Sequence, residues 1–190
     1  MILGLTGKTG AGKSTVAAML EKRGFFVIDG DKAARVVTRK GAPLLGVLAE
    51  NFGSDIIDEN GELRRRLLAD RAFATEEDTA LLSALTHTEI DKVIRERILF
   101  ARSLGYENIL IDAAALLESP SASLCDRIAV VTAPEDVRLE RILARDGITR
   151  EQALRRMRAQ KDDSYYLKAA DCVIRNYPPY DPEEEIKALF

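Results

Sequence analysis

Cysteine, histidine and long apolar runs are scarce in this chain, and each scarcity removes a class of protein. The 190 residues include two cysteines and one histidine. Cys125 and Cys172 stand far apart and form no C-x-x-C pair. That argues against a disulfide framework or a cysteine metal site, and for two buried thiols in a reducing compartment. No apolar run approaches the ~20 residues needed to cross a bilayer. No basic flank followed by an apolar stretch opens the chain, so no leader is expected and a cytoplasmic protein without membrane contact is the default. Surplus positive charge is missing too. Lys and Arg total 28 against 31 Asp and Glu, a net charge of −3, which argues against a general nucleic-acid binder. Internal repeats and low-complexity stretches are absent, and a monomer is expected.

What is present suits a single domain with a substantial core, since 46% of residues are hydrophobic. Charge is unevenly spread. Arg138 to Lys161 holds eight basic and three acidic residues, a local net charge of +5. An acidic chain with one basic segment points to a small anionic ligand.

Short, continuous apolar runs recur at Ile2–Leu5, Phe25–Ile28, Ile109–Ile111, Ile128–Val131 and Cys172–Ile174. Continuous rather than alternating runs predict parallel strands covered on both faces. With helical patterns between them, the expectation is an α/β fold with a doubly wound, five-stranded parallel sheet. The connection from Asp29 to Asn108 is too long for one crossover. Its Leu81, Leu82, Leu85, Ile90, Val93, Ile94, Ile98 and Phe100 recur at helical spacing, and Asn60-Gly61 marks a turn. A mainly helical insert over about 41–103 is expected. A pair of helices should follow the fourth strand, the second opening with a capping box at Thr149 and Gln152. Asp181-Pro182-Glu183 marks a last helix start.

The stretch Gly7-Lys8-Thr9-Gly10-Ala11-Gly12-Lys13-Ser14 fits G-x-x-x-x-G-K-S/T. Glycines let the backbone wrap an anion with its N–H groups inward, and the following helix adds its positive end. Lys13 is placed for the β- and γ-phosphates, and the Ser14 hydroxyl for Mg²⁺. Gly10, Ala11, Gly12 and Thr15 complete the expected nucleotide contacts. Chance supplies this pattern in about one chain of this length in a hundred, and the strand before and helix after reduce that further. The loop alone says only that a nucleoside triphosphate is bound. The N-K-x-D guanine signature of switch GTPases is absent from both candidate late segments, Thr132–Asp136 and Arg175–Pro178, which leaves ATP as the expected donor.

Two carboxylates, Asp29 and Asp31, follow the second strand in Val27-Ile28-Asp29-Gly30-Asp31-Lys32-Ala33-Ala34-Arg35. In a doubly wound sheet this carboxyl edge also carries the glycine loop. An acid there can accept the proton of an attacking hydroxyl or hold Mg²⁺ through water. It can equally cap a helix starting at Lys32.

Taken together, G-L-T-G-x-x-G-x-G-K-S-T and V-I-D-x-D-x-x-A-R resemble dephospho-CoA kinases. Further matches follow in order along nearly the whole chain. Phe52-Gly53 with Asp58 to Arg65 resembles F-G-x-x-I-x-x-x-x-G-x-L-x-R, Leu85-Thr86-His87 resembles L-x-H-P, and Asp112 to Glu118 resembles D-x-P-L-L-F-E. Arg145-Asp146-Gly147-Ile148-Thr149 resembles the lid's R-D-G-x-S/T, Ala159-Gln160 its A-Q, and Ala170 to Asn176 resembles A-D-x-V-I-x-N.

The resemblance implies phosphorylation by ATP of the 3′-hydroxyl on the ribose of dephospho-CoA, the last step of coenzyme A biosynthesis. It implies a core (about 1–40, 104–135 and 170–190), a CoA-binding insert (41–103) and a lid (about 136–169). Asp31 matches the general-base position, with Lys13 and the lid's Arg145 steadying the transferred group. Arg138, Arg141 and Arg145 share a helix face by spacing, and Arg141, Arg145 and Asn176 are expected at ATP. Arg35, Arg64 (with its neighbour Arg65), His87 and Asp112 are expected at the acceptor, and Asp112 also at Mg²⁺ through water. Each has a plainer reading: solvated arginine, structural histidine, loop cap or turn asparagine.

The chain departs from the family pattern at three places: Lys8-Thr9 with Ala11 inside the loop, Thr88 after His87, and Ala114-Ala115 where a proline is usual. With no proline there, the helix carrying His87 is expected to run on. The alternatives are another small kinase, acting on a nucleoside monophosphate or a small alcohol, and an NTP-binding switch.

Overall fold

A computed structural model describes residues 1–189. Its sheet is built from β1 (Ile2–Gly7), β2 (Phe26–Asp29), β3 (Ile109–Asp112), β4 (Arg127–Thr132) and β5 (Cys172–Arg175). The five strands run parallel in the order β2-β3-β1-β4-β5. β1 is central, and Leu3, Leu5, Ile109, Leu110 and Ile111 are fully buried. Covering both faces of a parallel sheet is what makes these runs continuously apolar.

The strands outrun their apolar runs at the carboxyl end. β1 continues through Thr6 and Gly7, with Gly7 in register with Val131, and β2 through Asp29, in register with Asp112. Backbone pairing carries them there, so the register brings the glycine loop and Asp112 to one edge of the sheet.

The helices are α1 (Lys13–Lys22), α2 (Gly30–Val37), α3 (Pro43–Phe52), α4 (Arg65–Ala72), α5 (Glu76–Ser103), α6 (Glu135–Asp146), α7 (Arg150–Arg158), α8 (Asp163–Ala169) and α9 (Pro182–Lys187). α1 opens directly on the loop's lysine. It packs Val16, Ala17 and Leu20 against Leu3, Leu5, Leu110, Ala129, Val131, Cys172 and Ile174, with Ile186 of α9. Each fully buried leucine, isoleucine or valine among these contributes about 1.5–3 kcal/mol of transfer free energy.

Three helices, not two, follow β4. The capping box forms as expected, the Thr149 hydroxyl accepting from Gln152 N while Gln152 bonds back to Thr149 N. The seven-residue α8 is the addition, capped by Asp162, whose carboxylate accepts from Tyr165 N at 2.9 Å. Asp181 caps α9 in the same way through Glu183 N.

The chain divides into two compact units, one from residues 1–29 with 98 onward, the other Gly30–Arg97. The second unit thus begins at Gly30, ahead of the expected 41, because α2 belongs with it: Val37 packs with Leu44, Leu48, Phe52, Ile56, Leu68 and Ala72. α2 also starts two residues earlier than expected. Asp31 is therefore inside its first turn and is not a cap. α5 passes through Thr88 unbroken over 28 residues. Asn60-Gly61 forms the expected turn, Gly61 N donating to Asp58 O at 2.9 Å. No helix among the described residues is long and apolar enough to cross a membrane.

Candidate active site

The loop between β1 and α1 has its conformation dictated by two glycines. Gly12 lies in the left-handed region (φ 89°, ψ 29°) as the residue preceding α1. A Cβ there would stand 1.9 Å from Asn176 Nδ2. Gly10 (φ +81°) backs onto α6, and a Cβ would meet the Arg138 carbonyl oxygen at 2.5 Å. Neither position has room for a side chain, and both have a backbone that side chains disfavour. Ala11 between them is fully buried.

The loop is fastened by its carbonyls. Asn176 Nδ2 donates to Ala11 O at 3.1 Å and reaches Gly12 O at 3.4 Å. Arg141 Nη1 donates to Ala11 O at 3.2 Å and reaches Gly10 O at 3.4 Å, while its Nη2 donates to Asn176 O at 2.8 Å. One arginine and one asparagine thus tie the loop to α6 and the end of β5. Ala11 N donates within the loop to Lys8 O at 3.1 Å, and the glycine-rich turn then runs straight into the first turn of α1, the kind of segment that cradles an anion.

Lys13 forms an ion pair with Asp112, both side chains mostly buried at 18% and 13% exposure. The pair follows from topology, since β1 and β3 are neighbours with Leu5 in register with Asp112. A buried ammonium needs such a partner.

The unusual Lys8-Thr9 pair is also engaged. Lys8 Nζ stands 2.6 Å from Asp163 Oδ1 at the start of α8, and Thr9 N donates to Gln160 Oε1 at 2.9 Å. These ties join the loop to the α7–α8 connection.

The basic segment divides into separate roles. Arg138 is buried and Arg141 is tied to the loop, whereas Arg145 is exposed and gives its guanidinium fork to Asp146 at 2.7 and 2.9 Å. Asp146 also takes Arg156 at 2.5 Å. The Arg145 hydrogen bond, more than any other cause, holds the Asp146 carboxyl below its usual range. Ser14 and Thr15 are exposed on the first turn of α1.

The remaining predicted positions belong to the second unit. Asp31 and Arg35 are exposed on α2, Arg64 is exposed at the cap of α4, and His87 is half-buried midway along α5. Arg65 Nη2 donates to Thr38 Oγ1 at 3.1 Å.

Neither thiol is suited to nucleophilic work. Burial, aided by Asp126, pushes Cys125 up to about 12, and burial raises Cys172 as well. Among the described residues no three His, Cys, Asp or Glu side chains cluster to cage a metal.

Sequence reasoning missed the fastening of Asn176 and Arg141 to the loop carbonyls, the Lys8–Asp163 tie and the burial of Arg138. All are long-range contacts with no local signal. Only the spacing of Arg138 and Arg141 on one face of α6 hinted that the two face the same neighbour.

Comparison with known proteins matches residues 1–179 to the family model described as dephospho-CoA kinase. A Carboxydothermus hydrogenoformans dephospho-CoA kinase is 39% identical over 92% of this chain and 85% of its own length. One from Corynebacterium diphtheriae is 40% identical over 97% of this chain and 92% of its own. Among solved structures, the dephospho-CoA kinase from Campylobacter jejuni superposes with a TM-score of 0.70 at 25% identity, covering 99% of this chain and 94% of that one. A Thermus thermophilus protein reaches 0.83 at 30% identity over 100% and 95% of the two chains.

Proposed function

The chain belongs to the dephospho-CoA kinase family, whose members phosphorylate dephospho-CoA with ATP in coenzyme A biosynthesis, and we propose that the group phosphorylated is the 3′-hydroxyl of the ribose, giving CoA and ADP. The fastened loop with Lys13 held beside it by Asp112 supports the donor side of this reading, and the family match over residues 1–179 supports the acceptor side.

Phosphoryl transfer asks a protein mainly for positioning and charge stabilisation. The loop amides bind the β- and γ-phosphates. Lys13 exchanges its contact with Asp112 for the γ-phosphate, and its positive charge then follows the transferred group. Asn176 and Arg141 keep the amides in place, and Asn176 borders the adenine. Arg145, on the exposed turn of α6, leaves Asp146 to meet the phosphates, with α6 to α8 acting as the lid. Asp31 accepts the proton of the attacking hydroxyl. The helical unit of residues 30–97 takes the acceptor, with Arg35, Arg64 and His87 as its contacts.

Mg²⁺ fits this donor set. It is commonly held by one or two protein oxygens together with substrate phosphates, and not by a protein cage. Here the Ser14 hydroxyl and the Asp112 carboxylate would be the protein oxygens that hold it. When bound, the ion neutralises charge on the β- and γ-phosphates. Both substrates and the two free thiols support a cytoplasmic location.

The test is acceptor dependence. Purified protein with Mg-ATP should release ADP when given dephospho-CoA, and far less with AMP, shikimate or gluconate. Equal release with AMP would move the chain to another class of acceptor.

A further inference from the structure

A second concave site lies behind the phosphate loop. A cavity of about 350 Å³ opens between α8, the carboxyl end of β4 and β5, and its walls include Val130, Pro134, Tyr166, Leu167 and Val173. It is on the opposite face of the sheet from α1. Along β5, Val173 and Arg175 face the cavity, while Cys172 and Ile174 between them pack with α1 in the core. Its volume is at the low end for small-molecule sites, and its walls are mainly aliphatic or aromatic, as such sites usually are.

One charged group in this lining is unlike the rest. Arg138 lines the cavity while only 6% exposed. Its Nε donates to Ala133 O at 3.2 Å, and its Nη1 is buried with no hydrogen-bond partner among the described residues. Buried guanidinium groups are almost always paired, because an unpaired one forfeits its hydration with no return. The other charges around the cavity are committed. Lys8 holds Asp163 at 2.6 Å, and Arg175 holds Glu185 at 2.6 Å.

We propose that this cavity binds a small organic monocarboxylate, its carboxylate on the Arg138 guanidinium and its apolar body against Val130, Pro134, Tyr166 and Val173. A planar fork matches a carboxylate in two parallel hydrogen bonds. A single free cation among apolar walls suits a single negative charge. A phosphate dianion would leave charge uncompensated there, and the Asp163 carboxylate in the same lining disfavours it further. The site is separate from the nucleotide reading of the loop and does not depend on it.

Calorimetric titration of the full-length protein tests the assignment, with benzoate and 3-methylbutanoate as probes and benzamide as the neutral match for benzoate. Saturating Mg-ADP is kept present so that the loop's own anion site is filled. At least one carboxylate should bind with a Kd of about 1 mM or tighter, and benzamide at least about 10-fold more weakly than benzoate. Arg138→Met should weaken carboxylate binding by about 10-fold or more. Val173→Trp, which fills the cavity from the edge strand and leaves Arg138 intact, should do the same and answers the question if Arg138→Met fails to fold. A Kd weaker than about 1 mM for both carboxylates, equal binding of benzamide, or undiminished binding in Val173→Trp overturns the proposal.

Discussion

Fastening of the phosphate loop by Asn176 can be measured as a coupling energy with Gly12. Asn176→Ala removes the bond to Ala11 O at 3.1 Å and the longer reach to Gly12 O at 3.4 Å. Ala11 O keeps Arg141 as a donor at 3.2 Å, so the loss is that of an ordinary hydrogen bond plus a small void, about 1–2 kcal/mol. Gly12→Ala carries two penalties. Its left-handed backbone costs about 1–2 kcal/mol with any side chain. Its Cβ would also stand 1.9 Å from Asn176 Nδ2, an overlap worth about 1–3 kcal/mol. In the double variant the overlap partner is gone and only the backbone penalty survives. The two substitutions together should therefore cost about 1–3 kcal/mol less than their sum. Urea unfolding followed by tyrosine fluorescence is the assay. The chain has no tryptophan, and Tyr106, Tyr165, Tyr166, Tyr177 and Tyr180 all lie in the unit that holds the loop, so the signal reports that unit. Additivity within about 0.5 kcal/mol would show that Asn176 does not press on Gly12, and the account of the loop would fail.

Three further outcomes follow from the same structure. Asp31→Asn should lower turnover by about 10²–10⁴ while ADP binding is largely kept, read by steady-state kinetics and calorimetry; near-normal turnover would leave Asp31 a helix-terminal charge. Lys13→Met should abolish ATP use with any acceptor and destabilise the fold by about 1–3 kcal/mol, because it removes a charge-assisted hydrogen bond to the mostly buried Asp112 carboxylate; adding Asp112→Asn should recover stability but not activity, as seen in paired melting curves and assays. The third concerns Cys125, whose neutral thiol is favoured in the fold, with a value raised from 9.0 to about 12. Its contribution to stability is complete below pH 9 and is lost as pH rises through 12; iodoacetamide should label it far more slowly at pH 9 in the native protein than in urea, and equal rates would contradict its burial.

How far these features were legible in the sequence depended on whether the signal was local. Parallel strands buried on both faces give continuous apolar runs, so all five were readable. Their carboxyl ends were not, because Thr6, Gly7 and Asp29 are held by backbone pairing and look like loop. α8 went unread because seven residues are too few to show a period, and its signal was the cap Asp162. The second unit's true start was hidden for a related reason. α2 joins it through Val37, a single apolar side chain in a short helix. The loop itself was legible because its glycines answer local conformational demands. Its partners were not, since Asn176, Arg141, Asp112 and Asp163 reach it from distant parts of the chain. Arg138 is the sharpest case. Helical spacing put it on a basic face with Arg141 and Arg145, and the structure buries it.

The most direct test follows the phosphate itself. Protein incubated with ATP labelled at the γ-phosphate and with dephospho-CoA should yield labelled CoA, with phosphorus–proton correlation spectra placing the new phosphate on the ribose 3′ carbon. Label recovered only as inorganic phosphate, or attached at any other position, would contradict direct transfer from the loop to that hydroxyl.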